Sequence, residues 1–178
     1  MINGYQNYTV YQAFCDPSGG RADTFTLAIG HYDFEKSKYT IDRLDAWPAP
    51  FNPSEVVSEA AAILRRYRCN RVKGDRYSAA WVEESFRKES IIYSQSELSK
   101  SKLYLELEPL INTQQILIPK DKNLINELLN LERKTGRSGR DSVDHPLKGS
   151  DDLANAVAGC AHLLTSLQDS AFANCDLT

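Results

Sequence analysis

Long apolar runs are missing from this 178-residue chain, and with them any candidate membrane span, which needs about 18 or more consecutive apolar residues. Cysteine is sparse. Cys15, Cys69, Cys160 and Cys175 lie far apart with no CxxC pair, so neither a zinc knuckle nor a disulfide framework is indicated, and all four read as reduced thiols. The opening residues MINGYQNYTV have neither a basic leader nor an apolar signal core, so secretion has no support and the sequon Asn7-Tyr8-Thr9 carries no meaning. No GxxxxGK[ST] phosphate loop, nucleophile elbow or Ser-His-Asp order is present. His31, His145 and His162 show no HxxxH or HxxE spacing, which makes zinc a poor match. Positive charge is not in excess either: 21 Lys and Arg against 24 Asp and Glu give a net charge of -3, which excludes binding through a uniformly basic surface. What remains is ordinary globular composition, 42% apolar and 25% charged, in a length that suits one domain over residues 1–178.

The first fifty residues read as strands. Thr9 to Cys15 is apolar on both alternating sets except at Gln12, as a central strand covered on two faces would be. Asp16 ends it. Pro17-Ser18-Gly19-Gly20 is turn chemistry, and 24–29 returns with Phe25, Leu27 and Ile29 on one face, predicting a hairpin. A more polar third strand over 39–46 lies nearer an edge and ends at the breaker Trp47-Pro48-Ala49-Pro50. Asn52-Pro53-Ser54-Glu55 then starts a helix with a cap, a proline at its first position and a glutamate three residues after the cap. Its apolar stripe is Val56, Val57, Ala60, Ala61, Leu64 and Tyr67. A short strand over 69–73, a helix over 77–88 and the apolar run 91–93 continue the alternation. Leu98, Leu103, Leu107 and Leu110 recur through 96–110, and 116–118 is a brief extended piece. The pattern predicts a helix over 122–134 that uses Leu124, Ile125, Leu128, Leu129 and Leu131. Residues 135–150 read as a glycine-bearing loop. The last helix runs from Asp151 to about Leu167, with Leu153, Ala156, Val157, Cys160, Leu164 and Leu167 on one face.

Acidic residues stand where these elements end or begin: Asp16 after the first strand, Asp75 in Lys73-Gly74-Asp75, and Asp151-Asp152 at the last helix. Each has a plain structural explanation, since Asp forms turns and carboxylates favour helix N-termini. Brought together, however, they would repel unless cations intervened. Hard divalent ions with oxygen ligands suit such a site.

The segments Phe14-Cys15-Asp16-Pro17-Ser18-Gly19-Gly20 with Asp23 to Ala28, Lys73-Gly74-Asp75-Arg76-Tyr77 with Trp81 and Phe86, and Gly149 to Gly159 (GSDDLANAVAG) resemble, in order and spacing, the nuclease domain of phage terminase large subunits. The resemblance implies an α/β ribonuclease H-like fold, a central mixed sheet of about five or more strands, the first three antiparallel, flanked by helices. It implies cleavage of double-stranded DNA during viral genome packaging by two Mg2+ or Mn2+ ions about 4 Å apart. Asp16, Asp75, Asp151 and Asp152 match the metal-binding catalytic acids, with Asp16 expected to bridge both ions. Many relatives carry His just before the acidic pair, where this chain has Ser150. Without a phosphate loop, the chain reads as the nuclease part without its packaging ATPase. The partners implied are that ATPase domain, a small terminase subunit and the portal, in the cytoplasm of a bacterial host.

DNA would be gripped by local positive charge. Arg65, Arg66, Arg68, Arg71 and Lys73 approach Asp75, and Arg133, Lys134, Arg137, Arg140 and Lys148 precede Asp151. Lys73, Arg76, Arg137, Arg140 and Lys148 are the candidate phosphate contacts. The competing readings are another ribonuclease H-like nuclease of resolvase or hybridase type, and a catalytically silent module that binds DNA or docks on the portal. An actin-like ATPase would need two such domains.

Overall fold

The computed structural model describes residues 9–21, 23–75, 80–135, 141–147 and 149–173. Three strands form first: β1 (Tyr11–Asp16), β2 (Phe25–Asp33) and β3 (Lys38–Trp47), paired antiparallel in sequence order. β4 (Arg71–Gly74) and β5 (Ile92–Gln95) join parallel on the other side of β1, and the two-residue β6 (Ile116–Leu117) adds parallel to β3. The order β5-β4-β1-β2-β3-β6 puts β1 inside the sheet, which explains its apolarity on both alternating sets. Phe14 goes to one face; Ala13 and Cys15 go to the other.

Among the described residues, five helices cover the sheet. α1 (Pro53–Arg66) starts as its sequence predicts: Asn52 is the cap and its side chain accepts from the Ser54 N–H at 3.0 Å. Val56, Val57, Ala60, Ala61 and Leu64 of α1 and Phe86 of α2 (Ala80–Lys88) pack on Phe25, Leu27, Ile29 and Val72. On the opposite face α5 (Asp152–Ala173) lies against Phe14, Ala28 and Ile41, with α3 (Lys100–Asn112) and α4 (Lys122–Asn130) beside it. This is a three-layer α/β architecture around a mixed sheet.

Several sequence expectations are corrected. α4 ends at Asn130, not at 134, because Leu131 is extended, and β7 (Glu132–Thr135) follows, paired antiparallel with β8 (Asp141–Asp144) inside the segment expected to be a loop. This ribbon is held by polar contacts, Thr135 Oγ1 donating to Asp141 Oδ1 at 2.6 Å and Val143 N–H donating to Ser101 Oγ at 2.8 Å, so it carries no apolar alternation to read. α5 runs on to Ala173, and Leu167 is exposed; in α4 only Leu124 is fully buried, while Leu129 faces solvent. β2 and β3 are each longer than expected.

α5 follows β1 closely and in the opposite direction. Cys160 Sγ lies 3.5 Å from the Gln12 carbonyl, Gly159 lies over the Phe14 ring, and Asn155 reaches Asp16. A Cβ on Gly159 would sit 2.3 Å from the ring, so the close approach requires glycine. The start of α5 is thereby set over the carboxyl end of β1.

Candidate metal centre

Strand register builds the first half of the site. β1 and β4 run parallel with Cys15 opposite Gly74, so Asp16, the last residue of β1, and Asp75, just past β4, emerge side by side at the carboxyl end of these two strands. Ligand sites form at that end in open parallel arrangements. The two carboxylates are joined by one amide: Asn155 Nδ2 donates to Asp16 Oδ2 at 2.7 Å and to Asp75 Oδ2 at 3.0 Å.

α5 brings the second half. Asp152 in its first turn accepts from the Thr24 N–H at 3.3 Å and the Ser150 hydroxyl at 3.0 Å, while Thr26 Oγ1 donates to the Asp152 carbonyl at 2.8 Å. Asp151 is almost completely buried and turns elsewhere. Its Oδ1 receives Lys100 Nζ at 2.9 Å and its Oδ2 receives the Tyr104 hydroxyl at 2.8 Å. With Asp151 so engaged, the helix start is capped from outside, Glu127 Oε2 accepting from the Ala154 N–H at 2.9 Å. Asp16, Asp23, Asp75, Asp151 and Asp152 line one open cleft of about 530 Å3, together with Lys100, His145 and Trp81.

The electrostatics follow the geometry. Burial, reinforced by the charges of Asp75 and Asp152, raises the Asp16 carboxyl to about 7 although the Asn155 bond and Lys100 oppose it. Burial also raises Asp152, with Asp151 and Asp23 adding to it. Lys100 is disfavoured as a cation by burial, yet the hydrogen bond and charge of Asp151, with Asp16 and Asp144, outweigh that and hold its pKa above the ordinary value. Among the described residues, negative charge in the cleft is thus concentrated beyond what the half-buried Lys100 ammonium offsets. Oxygen donors in excess and costly to ionise are what a hard divalent ion relieves, so these residues fit such ions.

Among the described residues, the one group of three potential ligands whose atoms all lie within 4.8 Å of one another is Asp144, His145 and Asp151. His145 Nδ1 lies 2.8 Å from the Pro146 carbonyl, which only accepts, so Nδ1 carries the hydrogen and the other ring nitrogen, Nε2, faces Asp151 at 3.8 Å and Asp144 at 4.0 Å. A histidine beside the acids therefore comes from the segment after β8 rather than from position 150. His31 and His162 are surface residues paired with Asp42 and Glu106.

The four acids singled out in the sequence line one cleft, and the side chains that bond to them or to the helix start, Lys100, Tyr104, Asn155, Thr24, Thr26 and Glu127, were not singled out. Asn155 was within reach, lying one helical turn after the acidic pair in the segment that carries the family resemblance; the rest carry no local signal. Of the candidate phosphate contacts, Lys73 is partly exposed and 3.8 Å from Glu97, while Arg76, Arg137, Arg140 and Lys148 lie outside the described residues. Arg65 is bonded to Glu89, and Arg133 to Asp141 and Glu108, so both are locally neutralised. Cys15, Cys69 and Cys160 are free, buried thiols, as expected; Cys175 lies outside the described residues. No described helix is long and apolar enough to cross a membrane.

No family model matches the sequence, and no curated protein does. Solved structures do match. The large terminase nuclease of thermophilic phage G20c, crystallised with magnesium, aligns with a TM-score of 0.69 and 21% identity over 86% of this chain and 81% of its own. The nuclease domain of the large terminase subunit of bacterial virus Sf6, as a mutant with manganese and beta-thujaplicinol, aligns with a TM-score of 0.66 and 14% identity over 84% and 86%. The HK97 bacteriophage large terminase aligns at 0.69 and 13% identity over 86% of this chain and 39% of the longer one. The mixed sheet with its first three strands antiparallel, the helices on both faces and these alignments give this chain the ribonuclease H-like fold of the phage large terminase nuclease domains.

Proposed function

We propose that this chain is the metal-dependent endonuclease domain of a viral DNA-packaging terminase large subunit and hydrolyses phosphodiester bonds of double-stranded DNA. One observation carries the reading: acids from three distant segments, Asp16, Asp75 and Asp151-Asp152, line a single cleft, the first two sharing one amide. A protein that needed these groups only as turn formers and caps would have no reason to bury them side by side.

Asp16, Asp75 and Asp152 would hold two Mg2+ or Mn2+ ions, with Asp151 contributing from its bond to Lys100. Bound there, the ions would lower the pKa of the attacking water and stabilise the leaving oxygen of an in-line displacement. Asp16 and Asp152 line the cleft from different elements, and Lys100, paired with Asp151, adds a positive charge to the lining. Lys73, Arg76, Arg137, Arg140 and Lys148 are proposed to bear on the DNA backbone. The proposed partners are a packaging ATPase domain, a small terminase subunit and the portal, within the host cytoplasm.

The test is supercoiled plasmid with Mn2+, with and without chelator, for the parent chain and Asp16→Asn. Nicking or linearisation is expected in the parent, abolished by chelator and reduced at least about 100-fold in the variant. Full Mn2+-dependent cleavage by Asp16→Asn would refute the assignment. No cleavage by the parent, with intact binding of duplex DNA, would favour the silent module.

A further inference from the structure

Two carboxylates placed side by side by strand register repel each other whenever both are ionised. In this fold the fully buried side chain of Asn155 reaches both, its one nitrogen serving Asp16 and Asp75 together. An amide nitrogen has two hydrogens and no charge, so it can satisfy two acceptors without neutralising them. Its own carbonyl oxygen is buried and has no hydrogen-bond partner among the described residues. The amide's orientation is therefore imposed by the two acids, at the cost of an unsatisfied acceptor. The α5 backbone that carries Asn155 is itself held in place, by Gly159 against Phe14 on one side and by Thr26 and Glu127 at the helix start on the other.

We infer that Asn155 is a positioning residue for the metal centre: by binding Oδ2 of both Asp16 and Asp75 it fixes the spacing and rotation of the two carboxylates before any ion arrives, and so sets the affinity of the site. The inference rests on the nuclease reading and deepens it. A group in this role keeps ligand carboxylates oriented without supplying charge of its own, and removing it weakens metal binding by roughly 10- to 100-fold. No other uncharged side chain of this length puts two donor hydrogens on one atom; serine supplies one, and aspartate of the same shape supplies none.

The experiment compares the parent chain, Asn155→Ser and Asn155→Asp in a Mn2+ titration read two ways, by melting temperature without DNA and by plasmid cleavage rate. In Asn155→Ser the Mn2+ concentration for half-maximal rate is expected to rise about tenfold, with the saturated rate within about threefold of the parent. In Asn155→Asp the metal-free protein is expected to melt lower, and Mn2+ to raise its melting temperature by more than it raises the parent's, because a third carboxylate then awaits the ion. A role in packing alone would lower the metal-free melting temperature and leave both metal responses at the parent's values. Either shifted metal response supports the inference; parental values for both overturn it. If Asn155→Asp does not fold, the half-saturation of Asn155→Ser decides. A parent chain that neither melts higher nor cleaves with Mn2+ overturns the nuclease reading and this inference together, whereas a responsive parent with variants that keep its metal responses overturns this inference alone.

Discussion

At Asp16 burial and neighbouring charge act together. Its carboxyl is raised from 3.8 to about 7, burial being the largest cause. A group whose folded pKa lies above its unfolded value binds a proton preferentially in the folded state, so its contribution to stability is greatest at low pH and is lost as pH rises between about 4 and 7. In chelator, the parent is therefore expected to lose more stability across that window than Asp16→Asn, measured by denaturant melts at pH 4.5 and 7.5. Equal losses would mean the carboxyl is not held in the protonated form. Lys100 makes the complementary case. Replacing it with Met leaves the buried Asp151 with Tyr104 and no ammonium, and about 2 kcal/mol of stability is expected to go, below the 3–5 typical of fully buried pairs because the Lys100 side chain is 30% exposed. Lys100→Gln, which keeps a donor, should recover part of that loss.

At the scale of elements, the contact between α5 and β1 governs the site. Gly159→Ala would place a methyl 2.3 Å from the Phe14 ring, and helix and strand would have to part. A destabilisation of about 2 kcal/mol or more is expected, with Phe14→Leu in the same chain recovering part of it; a simple sum of the two single effects would show that the contact is not what separates them. Because Asn155 and Asp152 ride on the same helix, the variant should also weaken Mn2+ binding. The β7–β8 ribbon shows the opposite economy: its ladder is held by side-chain hydrogen bonds and one anchored N–H, with Val143 packing half-buried on the core. Such an element leaves almost no trace in hydropathy.

For the molecule as a whole, gathering the acids is a cost that folding alone must meet, since in the unfolded chain they are far apart in water. Ions that bind only the folded state repay it by mass action. Mn2+ at about 100 times its dissociation constant is expected to add about 2.7 kcal/mol, seen as a rise in melting temperature that chelator reverses and that Asp16→Asn diminishes. No rise at millimolar Mn2+ would remove the metal centre from the account. The same architecture serves chains of different length, for this one covers most of the G20c nuclease and 39% of the HK97 large terminase.

Much of this was legible before any coordinates. The apolarity of β1, the alternation of β2, the Asn52 cap and the stripe of α1 are local patterns, set by neighbours a few residues away, and the acids marking element ends are equally local. The fold itself was implied by the resemblance of the segments that carry those acids to phage terminase nuclease domains. What the letters could not settle was which oxygen faces which partner: that Asp151 turns to Lys100 and Tyr104, that Asp16 and Asp75 share Asn155, that His145 enters from the segment after β8. The Asp151 and Asn155 bonds span 47 to 139 residues of chain. Only packing decides them, because a hydrogen bond depends on angstrom-scale approach between surfaces whose meeting is fixed by the whole sheet and not by any stretch of it.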